Sequence, residues 1–179
     1  MQSKKTLIYT ALTSEAQAIV EYLKLTKIDV HLYENEDVLL LVGGIGKQRT
    51  IFSLKSILSK YSFTKAINIG IAGCNNKEYN IGELISATSH SFEDIRILPI
   101  ITVNLPQANY DILSQHSQTY LYDMEAEYFL QVVSKYIDKD NIYIFKVISD
   151  HLDTKKPTKE FVKNLIKNRL NFIIKNDII

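Results

Sequence analysis

Four stretches of the chain are largely apolar without alternation: residues 7–12, 38–42, 66–71 and 142–148. A strand with one wet face alternates apolar and polar residues, whereas a run that is apolar on both faces is covered on both, as in parallel sheets packed between helices. These four runs therefore predict buried strands of an α/β sheet. Between them the apolar residues recur at helical spacing. Residues 15–25 place Ile19, Val20 and Leu23 on one face, residues 47–61 place Ile51, Leu54, Ile57 and Leu58, and residues 158–174 place Val162, Ile166, Leu170 and Ile173. Ser14 and Gln17 stand at capping-box spacing, which predicts a helix start directly after the first strand. A further helix over 124–137 follows a strand near 119–122. Residues 86–118 are weakly patterned, with short strands or turns expected at 84–88 and 97–103 and no sign of an interdomain linker. The chain is read as one domain over 1–179.

Composition narrows the class of partner. The 21 Lys and Arg against 20 Asp and Glu leave a net charge of +1, so no global field gathers nucleic acid or an anionic membrane. The last helix is locally basic, which reads first as a solvated face. A single Cys74 forms no internal disulfide and no CxxC motif, in keeping with a reducing cytoplasm. The first apolar run is short for a secretory leader, Glu15 interrupts the approach to the cleavage-like Ala16-Gln17-Ala18, and no window reaches the length of a membrane span.

Familiar nucleotide motifs fail on inspection. In Gly43-Gly-Ile-Gly-Lys47, the position five before Gly46 is Leu41 and the residue after Lys47 is Gln48, so this is not a phosphate-binding Walker loop. A dinucleotide fingerprint would need glycine at position 49, where Arg49 stands. What remains is a tight strand-to-helix turn whose glycines let backbone come close to something. His31, His90, His116 and His151 show no metal-ligand spacing, and no metal or organic cofactor is expected.

Three carboxylates stand out by position. Glu15 follows the first strand, Glu125 follows the strand ending near Tyr122, and Asp150 ends the strand over 142–149. In an open parallel sheet the carboxyl ends of strands share one edge, where ligands bind, so these residues are expected to converge. Carboxylates there can activate water, accept hydrogen bonds from sugar hydroxyls, or act as an acid when held protonated.

The strings Ala11-Leu-Thr-Ser-Glu-Ala16, Gly43-Gly-Ile-Gly-Lys47, Asn68-Ile-Gly-Ile-Ala-Gly73, Ile81-Gly-Glu-Leu-Ile85, Asp123-Met-Glu-Ala126 and Val147-Ile-Ser-Asp-His151 resemble, in order, the nucleoside phosphorylase superfamily, nearest to its methylthioadenosine/S-adenosylhomocysteine nucleosidase branch. The resemblance implies a three-layer α/β/α sandwich around a mixed, partly barrel-like sheet. It implies a hydrolase that releases the base from a purine, adenine-containing nucleoside. Glu15 would activate water and Asp150, oriented by Ser149, would protonate the purine. Met124 would lie beneath the ribose, Glu125 would bind its 2′ and 3′ hydroxyls, and Gly73 would line the substrate. Relatives commonly form dimers that share a pocket, so a homodimer is expected.

Two departures qualify the resemblance. Phosphorylases commonly carry an arginine where Asn68 stands, which favours water over phosphate, and a serine common in the family is Ile71 here. The chain is also shorter than the usual nucleosidase between Gly82 and Asp123, where relatives recognise the base; Phe92 and Tyr122 are the candidates for stacking. A phosphorylase and a catalytically weak nucleoside-binding protein are the alternatives.

Overall fold

The computed structural model describes residues 5–105, 118–153 and 156–176. His116 and Lys155 lie outside them. Along the chain run β1 (Lys5–Thr10), α1 (Thr13–Leu23), β2 (Thr26–Asp29), β3 (Leu32–Glu34), β4 (Val38–Val42), α2 (Lys47–Leu58), β5 (Phe63–Cys74) and β6 (Leu84–Ser86). There follow β7 (Arg96–Ile97), β8 (Ile100–Thr102), β9 (Leu121–Asp123), α3 (Ala126–Val133), a 3-10 turn at Lys139–Asn141, β10 (Ile142–Asp150), α4 (Lys159–Lys167) and α5 (Leu170–Lys175).

The four apolar runs are the four central strands. β4, β1, β5 and β10 lie side by side in that order and parallel to one another. Successive residues point to opposite faces, so adjacent apolar residues feed two separate cores. Ile8, Leu40, Ile67, Phe145 and Val147 pack under α1, α4 and α5, while Leu7, Tyr9, Leu39, Leu41, Ile142 and Ile144 pack under α2 and α3. This is the three-layer sandwich that the family resemblance implies.

Beyond the parallel strands the sheet becomes mixed. β2 and β3 form an antiparallel hairpin on the β4 edge, and β6 runs antiparallel to β10 with β7 parallel beside it. The end of β5 pairs antiparallel with β9 through Gly73 and Cys74, and β9 pairs with β8. Because β7 and β8 are separated by only Leu98 and Pro99, the strands β5, β10, β6, β7, β8 and β9 close a small barrel. Its interior is apolar, filled by Ala72, Cys74, Ile85, Leu98, Leu121 and Ile148.

Three local expectations change. α1 begins at Thr13, so Ser14 lies buried inside its first turn and does not cap it; the Glu15 carboxylate instead accepts from the amides of Ala11 and Leu12. The last helix is two, because Arg169 and Phe172 donate to carbonyls three residues back, and the Arg169 guanidinium reaches across to the Gly82 carbonyl. The hairpin over β2 and β3 is absent from the sequence reading, since its strands are exposed or half-exposed and carry no apolar run. On the basic last helices Lys163 pairs with Glu21 and Lys175 with Glu93, as on a solvated face. No described helix is long and apolar enough to cross a membrane.

Candidate active site

The carboxyl ends of β1, β5 and β10, with the β9–α3 junction, bring together a buried charge cluster. Glu15, in the first turn of α1, is 3% exposed. Its Oε2 accepts from the Ala11 amide at 3.0 Å and the Leu12 amide at 2.8 Å, and its Oε1 accepts from the Ile71 amide at 3.0 Å. Three backbone donors thus fix a carboxylate that bridges α1 and β5. The close approach requires Gly70: a Cβ there would stand 2.8 Å from Glu15 Oε1 and 3.3 Å from Lys146 Nζ.

Lys146 is the cation of the cluster. It occupies the middle of apolar β10 at 2% exposure and pairs with Asp123 Oδ2 at 2.8 Å. Burial alone would push its pKa down, but Asp123, Glu125 and Glu15 outweigh burial and hold the ammonium above its ordinary value. Asp123 is further satisfied by the Thr102 hydroxyl and the Ala126 amide, each at 2.8 Å, so it joins β8, the start of α3 and β10 at one point.

Glu125 stands two residues beyond Asp123, and its Oε1 accepts from the Gly46 amide at 2.8 Å. The glycine turn therefore approaches a carboxylate of this same protein, and Gly46 provides its amide from the left-handed region at φ 83°. Burial raises the pKa of Glu125 to about 7, with Asp123 and Glu15 adding to the shift and Lys146 and the Gly46 amide opposing it. Burial also raises Glu15, against Lys146 and its three amide donors. Met124, between the two acidic residues, is half-buried.

Asp150 lies apart from this cluster. It ends β10 in register with Gly73, half-buried, with Oδ2 accepting from the Ser149 hydroxyl at 2.6 Å and Oδ1 from the Leu152 amide at 2.9 Å. A Cβ on Gly73 would stand 3.0 Å from Asp150 Oδ1 and 2.6 Å from the Leu152 side chain, so this glycine makes room for the carboxylate. Gly70 beside Glu15 and Gly73 beside Asp150 are three residues apart on β5, roughly 10 Å at the usual rise of a strand.

The six residues singled out in the sequence thus lie along one edge of the sheet, with Glu15 and Glu125 in one electrostatic cluster and Asp150, Ser149 and Gly73 in a second group. Lys146 and Asp123 were not singled out. A lysine amid an otherwise apolar strand was the available signal, because a buried ammonium needs a carboxylate partner. Of the two stacking candidates, Phe92 is misplaced: its ring packs on Phe145 and Tyr143, toward the opposite end of β10 from Asp150. Tyr122 lies in register with Gly73 and is buried.

Three-dimensional comparison places the architecture. A Helicobacter pylori 5′-methylthioadenosine/S-adenosylhomocysteine nucleosidase superposes with a TM-score of 0.78 over 99% of both chains at 14% identity. The fold is that of these nucleosidases. The Campylobacter jejuni enzyme of the same name matches with a TM-score of 0.76 at 20% identity, over 98% of this chain and 99% of its own. A futalosine hydrolase of Helicobacter pylori matches with 0.77 at 15% identity over 97% of both chains. In sequence, a Bacillus cereus nucleosidase of the first kind is 33% identical over 66 residues, which are 37% of this chain and 29% of that relative's length. One from Bacillus velezensis is 26% identical over 97 residues, 54% of this chain and 41% of its own. The chain thus matches less than half the length of these curated relatives. No protein-family model matches it.

Proposed function

We propose that the protein cleaves the N-glycosidic bond of a purine, adenine-containing ribonucleoside with water as the nucleophile. Breaking that bond builds positive charge on the sugar and negative charge on the departing base, so a site for it needs carboxylate at one end and an acid at the other. The observation that carries the reading is the division of the acidic residues along β5: Glu15 and Glu125 beside Gly70, Asp150 beside Gly73.

In this reading the sugar sits over the buried cluster and the base toward Asp150. Glu15 takes a proton from water as its oxygen bonds to C1′, and the C1′–N9 bond breaks. Asp150 gives its proton to the departing purine, with the Ser149 hydroxyl fixing the carboxyl. Glu125 accepts from the 2′ and 3′ hydroxyls, Met124 lies beneath the ribose, and Gly73 lines the base. A pKa of about 7 at Glu125 and a raised one at Glu15 suit groups that exchange protons or accept hydrogen bonds near neutrality. Asn68 is buried and Ile71 directs only its amide at Glu15, so neither position offers a cation to a phosphate nucleophile.

The site is read as part of a single nucleoside phosphorylase-like unit in the cytoplasm, and as a homodimer. The deciding experiment is base release by the purified protein from a panel of purine nucleosides, with and without phosphate, beside Asp150→Asn. Phosphate-independent release that Asp150→Asn abolishes supports the hydrolase. Strict phosphate dependence would indicate a phosphorylase, and binding without release a nucleoside-binding protein.

A further inference from the structure

A groove of about 910 Å³ opens beside the buried cluster, between α2 and the β2–β3 hairpin. Its inner wall is built from backbone that the cluster already holds. Ala11 and Leu12 line it and donate their amides to Glu15, and the turn from Gly43 to Ile45 lines it and leads into the amide that Glu125 accepts. Its outer wall carries three basic side chains spread along it: His31 from the hairpin, Arg49 in the first turn of α2, and Lys60 just beyond the far end of α2. Asp29 also lines the groove, with its Oδ1 accepting from the Val30 amide at 2.6 Å. From position 47 to position 65 the chain carries Lys47, Arg49, Lys55, Lys60 and Lys65 and no acidic residue, so α2 presents a field of one sign.

The order of strands fixes how this groove lies relative to a nucleoside. Along the sheet edge the sequence is Asp150 on β10, Gly70 and Gly73 on β5, Glu15 after β1, the glycine turn after β4, and His31 ahead of β3. Neighbouring strands are about 4.8 Å apart, so β10 and β4 are separated by roughly 14 Å. A purine at Asp150 and a ribose over Glu15 and Glu125 use the first part of that span. C4′ and C5′ lie across the sugar ring from C1′, so the 5′ carbon then points away from β10 and toward the basic groove.

We propose that this groove binds an anionic 5′ substituent, a carboxylate or a phosphate, and selects nucleosides with a charged tail over neutral ones. The inference rests on the nucleosidase reading above and adds the chemical class of the substituent. Arg49 and Lys60 are exposed, so their preference is electrostatic and salt-sensitive, not that of a dry pocket.

The test compares kcat/KM of the full-length protein for three probes: 5′-methylthioadenosine, a 5′-carboxyalkylthio-adenosine and adenosine 5′-monophosphate. At low ionic strength at least one charged probe is expected to exceed the neutral one by about tenfold, with the advantage shrinking in roughly 0.5 M salt. The two charged probes separate a carboxylate site from a phosphate site. In Arg49→Ala/Lys60→Ala the ratio of charged to neutral should fall to near one, while Arg49→Lys/Lys60→Arg, which keeps both charges, should retain it. Thermal melts establish that both double variants fold. Equal or better use of the neutral probe, or a ratio that survives Arg49→Ala/Lys60→Ala, overturns the groove and leaves the nucleosidase reading standing. If none of the probes is cleaved or bound, the nucleosidase reading itself fails, and the groove inference falls with it.

Discussion

The two acidic ends of the site differ in what balances their charge. At one end Glu15, Asp123 and Glu125 are buried around Lys146, and each carboxylate is also held by backbone amides. At the other end Asp150 is half-buried and held by one hydroxyl and one amide from its own strand end. Three carboxylates around one ammonium, out of water, depend on one another, and removing a member changes all of them. Asp150, at the half-buried end of its strand, can be replaced without disturbing the core. The contrast predicts that damage at the first end is read chiefly as lost stability, and damage at the second as lost activity.

The largest effect should come from Lys146→Met, which keeps the length of the side chain and removes the charge. Three buried carboxylates then lose their common cation, and unfolding in denaturant should show a loss of about 3–5 kcal/mol. A loss below about 1 kcal/mol would mean that the cluster is not coupled as its geometry indicates. Asp123→Asn should follow in the same direction with a smaller loss, because Glu15 and Glu125 still face the ammonium.

The second effect is a pH dependence of stability. The pKa of Glu125 is about 7 in the folded protein against 4.5 for its ordinary value. Between these values the folded state binds more protons than the unfolded one, so stability falls as pH rises through that window and levels off above it. The contribution of this one group is about 3 kcal/mol at most, from the separation of the two values. Comparing Glu125→Gln with the parent from pH 4.5 to 8 isolates it, since Glu15 shifts in the same direction and remains in both. Parallel stability curves for the two proteins would contradict the burial of Glu125.

How much of this was legible in the sequence follows the same division. The four central strands were readable because burial on both faces leaves runs such as Val38-Leu-Leu-Leu-Val42 with no polar position. Glu15, Glu125 and Asp150 were readable because each stands at or soon after the end of a strand, and the topology of a parallel sheet gathers such points. The β2–β3 hairpin was not, since Thr26-Lys-Ile-Asp29 is exposed throughout and lacks any apolar signature. Lys146 was hidden for the opposite reason: its neighbours in β10 are so apolar that the strand dominated the reading, and its partner Asp123 is distant in sequence. The capping signal at Ser14 misled because the helix starts one residue earlier, at Thr13, and Glu15 accepts from the Ala11 and Leu12 amides ahead of it.

At the second end, Asp150→Asn should leave stability within about 1 kcal/mol of the parent, because a half-exposed carboxylate with two local donors contributes little to the core. Base release should nevertheless fall by about a hundredfold or more, the usual loss when a general acid is removed. A variant that kept its activity would dissociate Asp150 from the reaction. One that unfolded would erase the distinction between the two ends.

Ser149→Ala gives the smallest effect and the sharpest test of how Asp150 is positioned. The hydroxyl carries one proton and stands 2.6 Å from Asp150 Oδ2 but 3.3 Å from the Ala72 carbonyl, so the carboxylate is its principal acceptor. Removing it leaves Asp150 with the Leu152 amide on its other oxygen, enough to keep the side chain in place but not to fix its rotation. Activity should drop about tenfold, mostly in kcat, with stability changed by about 1 kcal/mol or less. Ser149→Thr, which restores the hydroxyl, should recover the rate. A Ser149→Thr variant as slow as Ser149→Ala would mean that Ser149 supports the strand end and not the acid.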